Sequence, residues 1–232
     1  MKTSAVKKTI KSSPNLVLET KKRITKINSN GTEDIRDAVS RLKRERIIRT
    51  AVELFHENGM SKTTLEEVAE QMNVTKPFIY SHFKSKNELL AEICSNGIRA
   101  SLDVLENVLK TELSPTEKVR KLINDFMLTV IENQGYLAVY SREEKNLTQE
   151  SRKKINSMRK EFDKKFCLLL EQGVNSGEFE ISDIHLTSLS IDGIISWSYV
   201  WFRPGGRLTP QQTATEISNL VMRMIESRRK RH

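Results

Sequence analysis

The sequence predicts an all-α protein, on three observations. From residue 41 to 228, apolar residues recur at three- and four-residue spacing, the period of helices that bury one face. No run alternates apolar and polar residues as a half-buried strand would. Cap and breaker residues, among them Gly59, Thr64, Ser114-Pro115 and Thr209-Pro210, cut the pattern into helix-sized pieces. The chain has 232 residues, 37% of them hydrophobic, enough to bury a core in one or two compact domains.

The elements follow in order. Residues 1–40 are rich in Lys, Ser, Thr and Asn, with Pro14 and Gly31 as breakers and no sustained period. They read as a flexible basic arm. Residues 41–58 form a first helix with Leu42, Ile47, Ile48, Ala51, Val52, Leu54 and Phe55 facing inward, stopped by Gly59. Thr64 opens a second helix. Its hydroxyl caps the chain, and Glu67, three residues on, reaches back in a capping box. Leu65, Val68, Ala69 and Met72 give that helix one apolar face. Asn73 ends it in the left-handed turn that Asn tolerates. Thr75 caps a third helix with Pro77 in its first turn.

The remaining helices follow the same logic. A long helix over 86–110 leads out of this unit. Ser114-Pro115 opens one running to about Glu132. Gly135 breaks it before a short piece from Tyr136 to Arg142. A charged helix runs from Thr148 to Asn175. A nearly apolar helix capped by Ser182 or Asp183 runs to Trp201. Pro204-Gly205-Gly206 turns the chain into a last helix from Thr209 to about Arg228. The expected organisation is an arm (1–40), a three-helix helix-turn-helix domain (41–88), a larger helical ligand-binding and dimerisation domain (89–228) and a basic tail (229–232).

Charge is unevenly spread. The chain carries nine more Lys and Arg than Asp and Glu. Nine basic against four acidic residues lie in 1–40, residues 228–231 are all basic, and the long middle stretch is slightly acidic. That asymmetry suits a nucleic-acid partner. A helix-turn-helix presents base-reading side chains from the start of its second helix. Thr75, Lys76, Pro77 and Phe78 are therefore the candidates for base edges. Thr64, Tyr80, His82 and Lys86 are the candidates for phosphates. Core packing is the competing role for Phe78.

Other classes find little support. The four histidines, His56, His82, His185 and His232, show no metal-ligand spacing, and no metal is expected. Cys94 and Cys167 sit far apart in apolar patterns, as reduced thiols would. There is no phosphate loop, dinucleotide fingerprint or nucleophile elbow, and Glu143-Glu144 reads as a solvated helix face, so no enzyme is expected. Neither a signal peptide nor a membrane span of roughly 20 apolar residues is visible, and a cytoplasmic location follows as an expectation.

The run Thr63-Thr64, Val68-Ala69, Asn73-Val74-Thr75, Ile79-Tyr80, His82-Phe83 and Lys86, with Leu89-Leu90 after it and Arg46-Ile47-Ile48, Ala51, Leu54-Phe55 and Gly59 before it, resembles the DNA-binding domain of TetR-family transcriptional regulators. Pro77 departs from that pattern, where a Gly or small residue is commoner. The resemblance supports the phosphate roles of Tyr80, His82 and Lys86. It implies a homodimer through the last two helices (183–201 and 209–228) on a palindromic double-stranded operator. The stretch from Trp197 to Thr209 is similar to a subgroup that controls fatty-acid, aromatic-acid or steroid degradation and responds to acyl-CoA or related CoA thioesters. Glu143-Glu144 with Asn146-Leu147, and Gly173 with Gly177-Glu178-Phe179, are similar to the same subgroup. That resemblance implies a small-molecule effector and no cofactor. Phe126, Val130, Tyr140, Phe166, Trp197 and Trp201 would line its apolar slot, and Arg203 and Arg207 would meet its phosphates, against a plain role flanking a turn. A regulator of another pathway, such as efflux, with a hydrophobic non-CoA ligand is one alternative. A non-specific architectural DNA binder using its basic arm is the other.

Overall fold

The computed structural model describes residues 31–226, with side chains from residue 35 onward. The basic arm through residue 30 and the basic tail lie outside the described residues. The described chain is helical, and an isolated bridge between Phe179 and Glu226 is its β pairing. The helices are α1 Gly31–Asn58, α2 Leu65–Gln71, α3 Lys76–Tyr80, α4 Lys86–Leu109 and α5 Pro115–Glu132. They continue as α6 Gln134–Glu143, a 3-10 turn Glu144–Asn146, α7 Gln149–Asn175, α8 Ile184–Ser196, α9 Ser198–Trp201 and α10 Pro210–Ile225.

The chain divides into two compact units between Arg46 and Ile47. In the first, the start of α1 leaves Ile35, Val39 and Leu42 exposed. Helix α1 thus begins ahead of the expected residue 41, and Leu42 does not belong to its buried face.

In the unit from Ile47 onward, two apolar cores share helix α4. One gathers Ile47, Ala51 and Phe55 of α1, Val68 of α2, Ile79 of α3 and Leu89 of α4. Val139, Leu147 and Ile155, from α6, the segment after it and α7, pack into the same core. The other joins Leu105 of α4, Leu122 and Met127 of α5, Phe166 of α7, Ile195 of α8 and Val221 of α10.

Local capping sets most boundaries. Capping boxes open α2 at Thr64, α5 at Ser114 and α10 at Thr209. Asn73 takes φ 55°, the expected left-handed turn. The C-terminus of α7 is closed by Gly177 at φ 75°, with the Glu178 and Phe179 N–H groups both donating to the Gly173 carbonyl.

Two boundaries differ from expectation. Helix α5 stops at Asn133, and Gly135 lies inside α6. A Cβ at Gly135 would come within 2.8 Å of Val52 Cγ1, so the glycine serves the close approach of α6 to α1. The expected helix from Asp183 to Trp201 is broken at Trp197, where the Val200 N–H donates to the Trp197 carbonyl in an i→i+3 bond of 3.0 Å and a short α9 follows.

Candidate nucleic-acid interface and ligand cavity

The α2–α3 unit is fixed from within. Thr64 Oγ1 accepts the Glu67 N–H at 3.1 Å, and Glu67 Oε2 accepts the Thr64 N–H at 2.7 Å. The Val74 N–H donates to the Ala69 carbonyl across the turn at 2.9 Å. Ile79 is fully buried against α2, which directs the start of α3 outward. Thr64, Thr75, Lys76, Pro77 and Tyr80 are all exposed. The Thr75 hydroxyl makes no cap hydrogen bond. Phe78 is half-buried, packs on the core and meets the His82 ring edge-on at 5.2 Å.

Glu66 of α2 faces these candidates. Its Oε1 accepts from the Tyr80 hydroxyl at 3.2 Å and pairs with Lys76 Nζ at 3.7 Å. A base-edge candidate and a phosphate candidate thus rest on one carboxylate, whose own negative charge opposes a nucleic-acid backbone.

Lys86 plays a different part from the one expected. Its ammonium donates to the carbonyls of Met60 at 2.7 Å and Thr63 at 2.8 Å, and to that of Ser61 at 3.4 Å. It holds the α1–α2 turn instead of reaching outward for a phosphate.

The same turn is gripped from α6. Glu143 is only 6% exposed, a correction to its reading as a solvated face. Its Oε1 accepts the Met60 N–H at 3.1 Å, and its Oε2 accepts from Asn146 Nδ2 at 2.7 Å. Beside it, Arg142 donates to the Phe55 and His56 carbonyls at the end of α1. The Glu143…Asn146 pattern thus anchors the turn that leads into α2.

Helices α4 to α8 line a cavity of about 490 Å³ that opens to solvent. Of the eight residues named for a ligand, Phe126, Val130 and Tyr140 lie on its wall. The other five expected residues do not. Phe166 is 1% exposed and packed in the core, while Trp197 and Trp201 are 59% and 45% exposed on the outer surface. Arg203 donates back to the Val200 and Phe202 carbonyls, and it and Arg207 are exposed in the turn before α10. The polar wall comes instead from Arg159, Lys160 and Asp163 of α7 and Asp192 of α8. Asp192 is the sole carboxylate inside α8, a legible signal. Arg159 adjoins the inward Met158 on a helix otherwise dense in charge, so nothing local marked it.

Arg159 lies over the Tyr140 ring at 4.4 Å. Burial and a hydrogen bond to Glu144 push the Tyr140 phenol up to about 12. Burial pushes the Cys94 thiol, also on the cavity wall, up to about 12 against the pull of Arg159, with Glu144 and Glu143 adding to the rise. Burial likewise raises Asp192 above the usual carboxylate range, against the pull of Arg159.

Fold and surfaces together define a helix-turn-helix protein with an interhelical cavity of ligand size. Residues 47–93 match the model described as bacterial regulatory proteins, tetR family, and residues 112–225 match the tetracyclin repressor-like C-terminal domain. The two matches together span more than half of the chain, which belongs to the TetR family of DNA-binding transcription factors and is not an enzyme. It is 24% identical over 182 residues to the transcriptional repressor KstR2 of Mycolicibacterium smegmatis, covering 78% of this chain and 89% of that one. It is 28% identical over 156 residues to the fatty acid metabolism regulator protein of Bacillus subtilis, covering 67% and 80%. Among solved structures, AibR in complex with isovaleryl coenzyme A and operator DNA superposes with a TM-score of 0.67 at 27% identity, covering 77% of this chain and 97% of AibR. No described helix is long and apolar enough to cross a membrane.

Proposed function

We propose that this chain is a transcriptional repressor that binds a palindromic operator as a homodimer and is released by a CoA thioester. The observation that carries the ligand reading is the largely apolar cavity with Arg159 and Lys160 on its wall. An acyl group fills the apolar part, and the two cations serve a CoA phosphate. The cations belong to α7, not to the turn at Arg203 and Arg207. The AibR complex supports the same ligand class, and the KstR2 and fatty-acid relatives support a role in lipid or steroid catabolism.

The homodimer reading rests on α8 to α10, where Leu186, Leu189, Trp197, Trp201, Leu220 and Met224 are exposed. An apolar surface of this kind calls for a partner, and a two-fold copy supplies one while matching operator symmetry. The protein acts in the cytoplasm on double-stranded DNA, with no cofactor. The protein bound at its operator excludes polymerase. Thr64, Tyr80 and His82 take phosphates, and Thr75, Lys76, Pro77 and Phe78 face bases.

Ligand and DNA are coupled through two helices. Helix α4 carries Lys86 at one end and Cys94, Ile98 and Ser101 on the cavity wall. Helix α6 carries Tyr136 and Tyr140 on the wall and Glu143 at the turn. Ligand that favours a different placement of these helices moves the α1–α2 turn and so the recognition helix. The coupling is reciprocal, so operator weakens ligand binding by the same factor.

The test is fluorescence anisotropy of the full chain on DNA from upstream of its own gene, with a scrambled control and a salt series. CoA thioesters and free acids are then added. Release by a thioester, lost in Arg159→Met, supports the reading. Release by a free hydrophobic compound alone replaces the ligand class. Unchanged operator affinity at saturating ligand sinks induction, and equal binding to both DNAs leaves the architectural alternative.

A further inference from the structure

Helices α7 and α8 bring together three side chains that the sequence keeps apart. Asp163 and Cys167 lie one turn apart on α7, and His185 lies in the first turn of α8. Asp163 Oδ2 is 3.2 Å from His185 Nδ1. Asp163 Oδ1 is 3.8 Å from Cys167 Sγ. One ligating atom from each residue lies within 4.8 Å of the other two.

We infer that Asp163, Cys167 and His185 form a Zn²⁺ site that joins α7 to α8. A tetrahedral Zn²⁺ with bonds of about 2.0–2.3 Å holds neighbouring ligand atoms about 3.3–3.8 Å apart. The measured separations lie close to that range but use the two different oxygens of Asp163, and the three ligand atoms all lie within 4.8 Å, so rotamer adjustment brings one carboxylate oxygen, the thiolate and the imidazole onto one ion. A carboxylate, a thiolate and a neutral imidazole carry two negative charges, which Zn²⁺ balances. Mixed sulfur, nitrogen and oxygen donors favour Zn²⁺ over Mg²⁺ or Ca²⁺, which prefer oxygen alone.

The surroundings fit a cation. Ser188 Oγ donates to Asp163 Oδ1 at 2.8 Å, an orienting contact of the kind metal-ligating carboxylates carry. His185 is exposed, which leaves the site open to solvent and a fourth position for water. A surface His–Asp pair beside an inert thiol is the competing account. Asp163 also lines the effector cavity, yet the zinc site does not depend on what that cavity binds.

The test uses reduced, chelator-stripped full-length protein. Co²⁺ alone is titrated and a thiolate-to-cobalt charge-transfer band is sought, and Zn²⁺ affinity is read by competition with a chromophoric chelator. The expected result is one ion per chain and a band that survives Cys94→Ser but disappears in Cys167→Ser. His185→Gln weakens Zn²⁺ by at least about tenfold, with unchanged far-ultraviolet circular dichroism. Absence of a band in the wild-type protein overturns the site. So does a band retained in Cys167→Ser, or equal Zn²⁺ affinity in the wild type and the Cys167→Ser/His185→Gln variant.

Discussion

Replacing Glu143 with Ala tests whether α6 holds the DNA-reading unit. Three donors converge on this carboxylate: the Met60 N–H at 3.1 Å, Asn146 Nδ2 at 2.7 Å and Arg142 Nε at 3.2 Å. Met60 is 5% exposed, so water cannot replace the acceptor its N–H loses. An unsatisfied buried N–H costs about 1–3 kcal/mol. The Arg142 pair adds little, because that side chain is 47% exposed and keeps its bonds to the α1 carbonyls. The Asn146 bond to a charged acceptor adds about 1 kcal/mol after solvent discount. The sum is a loss of about 2–4 kcal/mol, read as a shift in the urea midpoint at unchanged slope. Operator affinity falls with it, because the turn into α2 loses its carboxylate anchor and keeps only Lys86, Arg142 and the Thr63 hydroxyl. Glu143→Gln keeps an acceptor for Met60 and loses less on both readouts. If Glu143→Ala unfolds within 0.5 kcal/mol of the wild type and binds operator equally, the anchoring role is wrong, since no smaller loss is compatible with a buried orphaned donor.

Gly173→Ala places a methyl group in the Phe179 ring, expelling a side chain only 3% exposed, and thermal denaturation should show a loss of about 3–5 kcal/mol. Glu66→Gln frees Lys76 and Tyr80 from a carboxylate, so DNA affinity rises and the slope of log K against log salt steepens by about one; an unchanged slope rejects Glu66 as a local brake. Cys94, buried and pushed up to about 12, should resist disulfide reagents in the native state, with Cys167 reacting first. Its folded value lies above the unfolded one, so its contribution to stability is present below the unfolded value near 9 and is lost as pH rises toward about 12. Tyr140, also raised to about 12, adds to the loss, and a chemical-denaturation series from neutral to strongly alkaline pH reads both.

The sequence by itself determined most of the helices and the caps that open them. Thr64 with Glu67, Ser114 with Glu117 and Thr209 with Gln212 each close a hydrogen-bonded box within three residues. Asn73 turns left-handed through its own backbone preference. Such features need no distant partner, which is why pattern and propensity suffice. The helix-turn-helix was legible for the same reason, its two helices being adjacent in sequence.

Only the tertiary structure decided which side chains face one another across long separations. Met60 and Glu143 are 83 residues apart, and the signature around Glu143 became an anchor only when α6 met the end of α1. Lys86 turned from the DNA side to carbonyls more than 20 residues earlier. The cavity took its cations from α7 because α7 packs beside α4 while α8 packs on α5 and α7, and Trp197, Trp201, Arg203 and Arg207 lie outside it. A helical period places a residue on a face but does not say what that face meets. The answer depends on how the helices cross, and hence on the whole chain.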